Sequence, residues 1–251
     1  MRVPSGSSTK ITRDANCGLS MRDSGSMVAP SAASEASGAY LAHVLVALSI
    51  LSMTVGNLAA IAQKDLKRMF AYSSIAQAGY VLIGILSMGP DGYAAAIFYS
   101  LALLVMKFTC FLVLVAVAFD GANIEIAQLA GLHRRAPLLA MALMMSLFSL
   151  AGIPPTIGFT GKFLIFNAAI AAGHLPLVLI AMVNVVISLY YYLMVVKAAY
   201  LLEPAVAPPP MQVPAAVNVL AVALVTFMVV FGVYPQAFIE IARFAAAALV
   251  R

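Results

Sequence analysis

Polar residues interrupt this sequence at wide, uneven intervals, and the runs between them are apolar. A helix needs about 20 apolar residues to cross a hydrocarbon core of ~30 Å. Six runs approach or exceed that length, at about 39–62, 70–88, 93–119, 138–171, 176–201 and 214–234. They are separated by Gln63 to Arg68, the turn Gly89-Pro90-Asp91-Gly92, the stretch Asp120 to Pro137, the short Gly173-His174-Leu175-Pro176 and the Pro-rich Glu203 to Pro214. The pattern predicts an all-α polytopic membrane protein with about six transmembrane helices.

The fourth run is too long for one straight crossing and carries Gly152-Ile153-Pro154-Pro155-Thr156 near its middle. Two adjacent prolines remove two backbone donors and clash with the preceding turn, so the helix is expected to break there into halves of roughly 15 residues. Freed backbone groups at membrane depth are tolerated where protein or a water-filled cavity satisfies them. A broken helix at that depth is a mark of transport sites.

The two ends of the chain read differently. Residues 1–38 contain nine serines and no apolar run, which predicts a disordered polar leader. It does not resemble a complete signal peptide, because the apolar stretch that follows, about 24 residues, is too long for an h-region. In residues 235–251, Gln236, Glu240, Arg243 and Arg251 fall near one helical face, and Phe238, Ile239, Ile241 and Phe244 fall on the other. This predicts an amphipathic C-terminal helix lying in the membrane interface.

Composition sharpens the picture. The chain is 64% hydrophobic and 9% charged, against roughly 45–50% and about 25% in soluble domains. Beyond residue 38 only 16 charges remain in 213 residues. The net charge of +5 does not indicate nucleic acid, because the basic residues are scattered in ones and twos. Membrane topology accounts for them. Lys64, Lys67, Arg68, Arg134, Arg135 and Lys197 lie in or beside the first, third and fifth connections, while the second and fourth hold none. The basic connections should face the cytoplasm, which puts both termini on the outer side. Cys17 and Cys110 form no framework, and His43, His133 and His174 are scattered. Disulfide, iron–sulfur and zinc readings therefore find no support. Gly161-Lys162 fails as a phosphate loop, with Thr156 and Phe163 at key positions.

The informative chemistry is two lysines inside apolar spans. Lys107 is the fifteenth residue of the third run, so either end lies about 18–21 Å away at helical rise, beyond the reach of its stem. Lys162, on the second half of the broken run, is roughly 14 Å deep by the same measure. Lys197 lies close enough to a span end to reach the headgroups. All six acids beyond residue 38 (Asp65, Asp91, Asp120, Glu125, Glu203, Glu240) lie in connections or the tail. No carboxylate in the spans can pair with either lysine. An ionisable group in the membrane usually marks an ion or proton pathway. Burial disfavours a bare ammonium ion, so such a lysine can take a proton and release it. Lys162 and Lys107 are accordingly the candidate proton-relay residues. Ser73, Ser74, Gln77, Tyr80, Thr156, Thr160 and Ser188 are candidate supporting polar groups, with Thr109, Asn184 and Tyr190 to Tyr192 on the same spans.

Three motifs carry a resemblance to a known family. Gly56-Asn57-Leu58-Ala59-Ala60, Gln63 to Arg68 and Ala71 to Tyr80 resemble the junction of the ninth and tenth helices of the antiporter-like, proton-translocating membrane subunits of respiratory complex I, the NADH-quinone oxidoreductase. Ser149 to Phe163 resembles that family's broken twelfth helix, and Ile187 to Leu193 its thirteenth. The tripeptide Gly161-Lys162-Phe163 favours the N branch, because the L and M branches carry different residues around this lysine. The resemblance implies the second inverted repeat plus the last helix of the antiporter-like fold. The first repeat, with its glutamate and lysines, has no counterpart here, so this chain alone is expected not to carry a proton across a membrane. Lys162 falls on the family's proton-channel lysine, whereas Lys107 stands where many relatives have a neutral residue.

The function so implied is proton conduction across the cell (inner) membrane, coupled to quinone reduction. No cofactor is expected in this chain. NADH, FMN, iron–sulfur clusters and quinone belong to partner subunits, and the neighbouring antiporter-like and small membrane subunits and the lipid bilayer are the expected partners. The alternatives are a subunit of a related membrane hydrogenase, coenzyme dehydrogenase or cation/proton antiporter, or a non-conducting scaffold.

Overall fold

The apolar runs are helices, packed side by side with their oily faces turned outward. A computed structural model describes residues 32–118, 123–203, 211 and 213–249. Residues 39–251 form one compact unit, and residues 1–38 are a separate one. The elements in order are α1 (Ala32–Ile61), α2 (Leu66–Leu86), α3 (Pro90–Val117), α4 (Leu132–Arg135), α5 (Pro137–Ala151), α6 (Ile157–Ala171), α7 (Leu175–Leu201), α8 (Ala215–Val233) and α9 (Gln236–Leu249), with a 3₁₀ turn at Ile126–Leu129 before α4. The helices α1, α2, α3, α7 and α8 are each long and apolar enough to cross a membrane. The shorter apolar helices α5 and α6 are the two halves of the broken run.

Most of the polar leader lies outside the described residues, but α1 begins at Ala32, before the expected start of the first span. The run Ala32 to Ala39 is rich in alanine, which extends a helix readily. The helix α2 also starts earlier than the apolar pattern implied. Asp65 caps it, its carboxylate accepting from the Arg68 amide at 3.1 Å, so Leu66, Lys67 and Arg68 form its first turn. Two short helical pieces occupy the connection that the sequence showed only as a polar stretch.

The helix α3 runs through the middle, touching α2, α5, α6, α8 and α9. Between lipid-bathed helices the hydrophobic effect gives little drive, so close packing of small residues does the work. Gly56 of α1 lies against the α2 backbone at Ala76, where an added Cβ would come within 2.6 Å of an amide nitrogen. Ser49 of α1 donates to the Gly79 carbonyl of α2 at 2.9 Å. Leu104, Val115, Val186 and Val219, each 68–70% exposed, mark faces suited to lipid. The helix α8 buries only Ala221 and Met228 among its described residues.

The connections sort by end. At one end Leu66 N–H donates to the Ile124 carbonyl at 2.9 Å and Ile126 N–H to the Lys64 carbonyl at 3.0 Å, a two-bond ladder of the β kind among helices. Gly131 N–H donates to the Leu202 carbonyl at 3.1 Å beside it. The first, third and fifth connections, with their basic residues, thus meet at a single end. Asp91 in the second connection instead pairs with Arg243 of α9 at 3.5 Å. That helix packs on α3 through Phe238, Ala242 and Ala246, while Ile241 and Phe244 project outward. Its apolar residues therefore divide between protein and surroundings.

Candidate functional site: a buried lysine on a broken helix

The break between α5 and α6 sets the geometry. A helical carbonyl accepts from the amide four residues on, so Pro154 leaves the Leu150 carbonyl without its donor and Pro155 leaves the Ala151 carbonyl without its own. The carbonyls just before them are satisfied locally. Gly152 N–H reaches the carbonyls of Phe148 and Ser149, and Ile153 N–H that of Phe148, each at 3.0 Å. This is a Schellman cap, with Gly152 at φ 87° in the left-handed region that favours glycine. The two orphaned carbonyls face α6, where the Lys162 ammonium donates to Leu150 at 2.8 Å and to Ala151 at 3.2 Å.

Lys162 is only 4% exposed, and among the described residues no carboxylate pairs with it. Its counter-charge is the negative end of the α5 dipole and two bare carbonyls, with the ring of Tyr80 4.9 Å from its nitrogen. The half-helices overlap closely. Gly158 N–H donates to the Ser149 hydroxyl at 3.1 Å, and a Cβ on Gly158 would come 1.9 Å from the Ser149 carbonyl oxygen, a spacing open to glycine alone.

A chain of polar groups leads away from this lysine. Gln77 of α2 donates to the Leu150 carbonyl and to the Tyr192 hydroxyl, both at 3.2 Å, and accepts from the Tyr99 hydroxyl at 2.6 Å. The Tyr192 hydroxyl lies beside the Ser73 side chain. Ser73 accepts from Lys107, which also donates to the Phe70 carbonyl at 3.1 Å. The two lysines thus bracket a run of polar groups, Ser73, Tyr192, Gln77 and the Leu150 carbonyl, bonded at the Lys107–Ser73 end and around Gln77. A separate polar group lies nearby: the Tyr191 hydroxyl donates to Asn57 at 3.0 Å, and the Asn57 amide donates to Asn184 at 3.1 Å. The Leu150 carbonyl accepts from both Lys162 and Gln77 and has no proton to hand on, so the run positions the two amines and a proton moving between them needs water at that point.

Among the other candidates, Tyr80 meets Lys162 with its ring and points its hydroxyl at the Ala181 carbonyl, 3.5 Å away. Ser74 is exposed and bonds its own helix at Phe70, and Ser188 bonds Val185 likewise. Thr156 closes the turn at the break by donating to Ile153, and Thr160 ties α6 to the Gly232 carbonyl of α8 at 3.1 Å. These four hydroxyls hold backbone in place and do not enter the chain. Tyr99, not singled out in the sequence as a site residue, does join it through Gln77, and Asn57, likewise not singled out, ties α1 to Tyr191 and Asn184 of α7. Their signal was a phenol and an amide within apolar runs, groups that find partners when buried.

Comparison with known proteins identifies the family. Residues 26–188 match the family model described as NADH:quinone oxidoreductase/Mrp antiporter, TM. NADH-quinone oxidoreductase subunit N 2 of Syntrophobacter fumaroxidans is 66% identical over 84% of this chain and 45% of its own length. The protein of the same name from Opitutus terrae is 43% identical over 78% of this chain and 41% of its own. The chain thus spans somewhat under half the length of these curated relatives. Among solved structures, a chain of respiratory complex I from Thermus thermophilus with bound aureothin superposes with a TM-score of 0.70 at 34% identity, covering 79% of this chain and 45% of that one. A chain of the Mrp complex from a Dietzia species gives 0.73 at 26% identity, covering 85% and 48%. The chain therefore belongs to the NADH:quinone oxidoreductase/Mrp antiporter transmembrane family, and its curated relatives place it with the subunit N members.

Proposed function

We propose that this chain forms part of a transmembrane proton path in the membrane portion of a NADH-quinone oxidoreductase, with Lys162 as the group that takes up and releases the proton. The observation that carries this reading is the lysine held by carbonyls that two prolines have freed, with Gln77, Tyr192 and Ser73 set between it and the half-buried Lys107. In its charged form Lys162 donates to Leu150 and Ala151. After losing the proton it is a neutral amine, held less strongly by the same dipoles, and free to accept a proton that water delivers from the Lys107 side.

NADH oxidation and quinone reduction are assigned to partner subunits, with their FMN and iron–sulfur clusters, and this chain supplies the conduit. The basic connections face the cytoplasm on this reading. In the assembled complex, Lys162→Ala should abolish coupled proton pumping while the subunit is still incorporated. Full pumping by an assembled Lys162→Ala complex would refute the assignment.

A further inference from the structure

A proton on Lys162 must eventually meet water, and the fold holds a cavity on that side of it. The cavity, about 350 Å³, opens at the end opposite the basic connections, where the start of α3, the end of α6 and α9 come together. It is ample for a cluster of waters. Ser87, Asp91, Asn167 and Arg243 line it together with Phe98 and Leu164. From Asp91 to Phe98 it follows α3 for about 10 Å at helical rise, which makes it a funnel into the apolar layer.

The buried ring of Phe98 forms its floor. A Cβ on Gly161 would lie 3.4 Å from that ring, so Phe98 sits against the residue before Lys162. The next residue, Tyr99, already belongs to the lysine network through Gln77. Polar groups thus lie on both sides of one aromatic ring. Phe238 of α9 meets Phe98 edge-on, with centroids 5.0 Å apart, and is packed in turn on Phe227 and Phe231 of α8. At the mouth, Arg243 of the same helix pairs with Asp91 at 3.5 Å, both well exposed. Such a tether is weak in water. One short helix therefore touches both the floor and the rim.

We propose that Phe98 closes the inner end of this aqueous vestibule toward Lys162 by excluding water, and that α9 sets the closure through Phe238 and Arg243. An apolar constriction gates a water path by dewetting. The proposal rests on the reading of Lys162 as a proton carrier, but the vestibule and its gate have readouts of their own.

The test uses membrane vesicles holding the assembled complex, in a Cys17→Ser background. Asn167→Cys should react with a membrane-impermeant thiol reagent added on the side opposite Lys64. Phe163→Cys, whose native side chain is exposed near the level of Lys162, should not react. An unreactive Asn167→Cys would overturn the vestibule. Phe98→Ala should raise the passive proton permeability of de-energised vesicles severalfold, and Phe238→Ala should do so more weakly. If Phe98→Ala fails to assemble, Phe98→Leu carries the same measurement with a smaller expected rise. Vesicles as tight as the parent, with Asn167→Cys labelled, would overturn the gate. Normal pumping by Lys162→Ala would sink the proton reading and leave the labelling untouched, so the two failures are distinguishable.

Discussion

Gln77 and Lys162 donate to the same acceptor, the carbonyl of Leu150, at 3.2 and 2.8 Å. One side chain comes from α2 and the other from α6, and the carbonyl they share belongs to neither. Gln77→Leu should therefore act on both the network and the fold. It removes the only amide joining Tyr99, Tyr192 and the break among the described residues, and leaves a buried phenol without its acceptor, at about 1–3 kcal/mol. A lowered melting temperature together with partial loss of pumping is expected. Unchanged pumping would show that the proton does not use this link.

Lys162→Arg separates charge from titration. Arginine keeps a cation and several donors for the carbonyls of Leu150 and Ala151, but it does not release a proton near neutral pH. The variant should assemble at close to normal levels and pump at about a tenth of the normal rate or less, as judged against a transition-state estimate in which a tenfold loss is 1.4 kcal/mol. Retention of most of the pumping would mean that the positive charge alone suffices.

The double change Pro154→Ala with Pro155→Ala gives back two N–H donors. They would compete with Lys162 for the Leu150 and Ala151 carbonyls and favour a continuous helix. The expected result is a complex that assembles but conducts poorly, with Lys162 untouched. Pumping at the normal rate would show that the break is not what makes the lysine functional.

Topology is open to direct measurement. Thiol labelling at Lys64→Cys and Arg134→Cys, both exposed at the basic end, should come from the cytoplasmic side, and labelling at Asp91→Cys from the other. The reverse pattern would invert the proposed orientation and with it the direction of the path.

The sequence made the break and its lysine legible, because two prolines and a deep charge are violations of the apolar pattern that stand out residue by residue. It also showed Ser73, Gln77 and Tyr80, spaced along one face of α2. It did not separate these from Ser74, Thr156, Thr160 and Ser188, since a hydroxyl in an apolar run bonds its own backbone as readily as a neighbour. Tyr99 was hidden for a different reason. In a membrane helix the lipid face is as apolar as the buried one, so periodicity does not tell which residues turn inward. The start of α2 at Leu66 was set by the Asp65 cap, a polar residue within what the pattern marked only as a separator.

The two-bond ladder joining residues 64–66 to residues 124–126 fixes how far α2 stands in the bilayer. That helix contributes Ser73 to Lys107 and Gln77 to the acceptor of Lys162, so both lysines depend on its axial position. A slip of one turn is about 5.4 Å, and a fraction of it is enough to part hydrogen bonds of ordinary length. A short backbone contact at the basic end, one turn from the Phe70 carbonyl that Lys107 grips, thus acts as a register stop for the polar groups between the lysines.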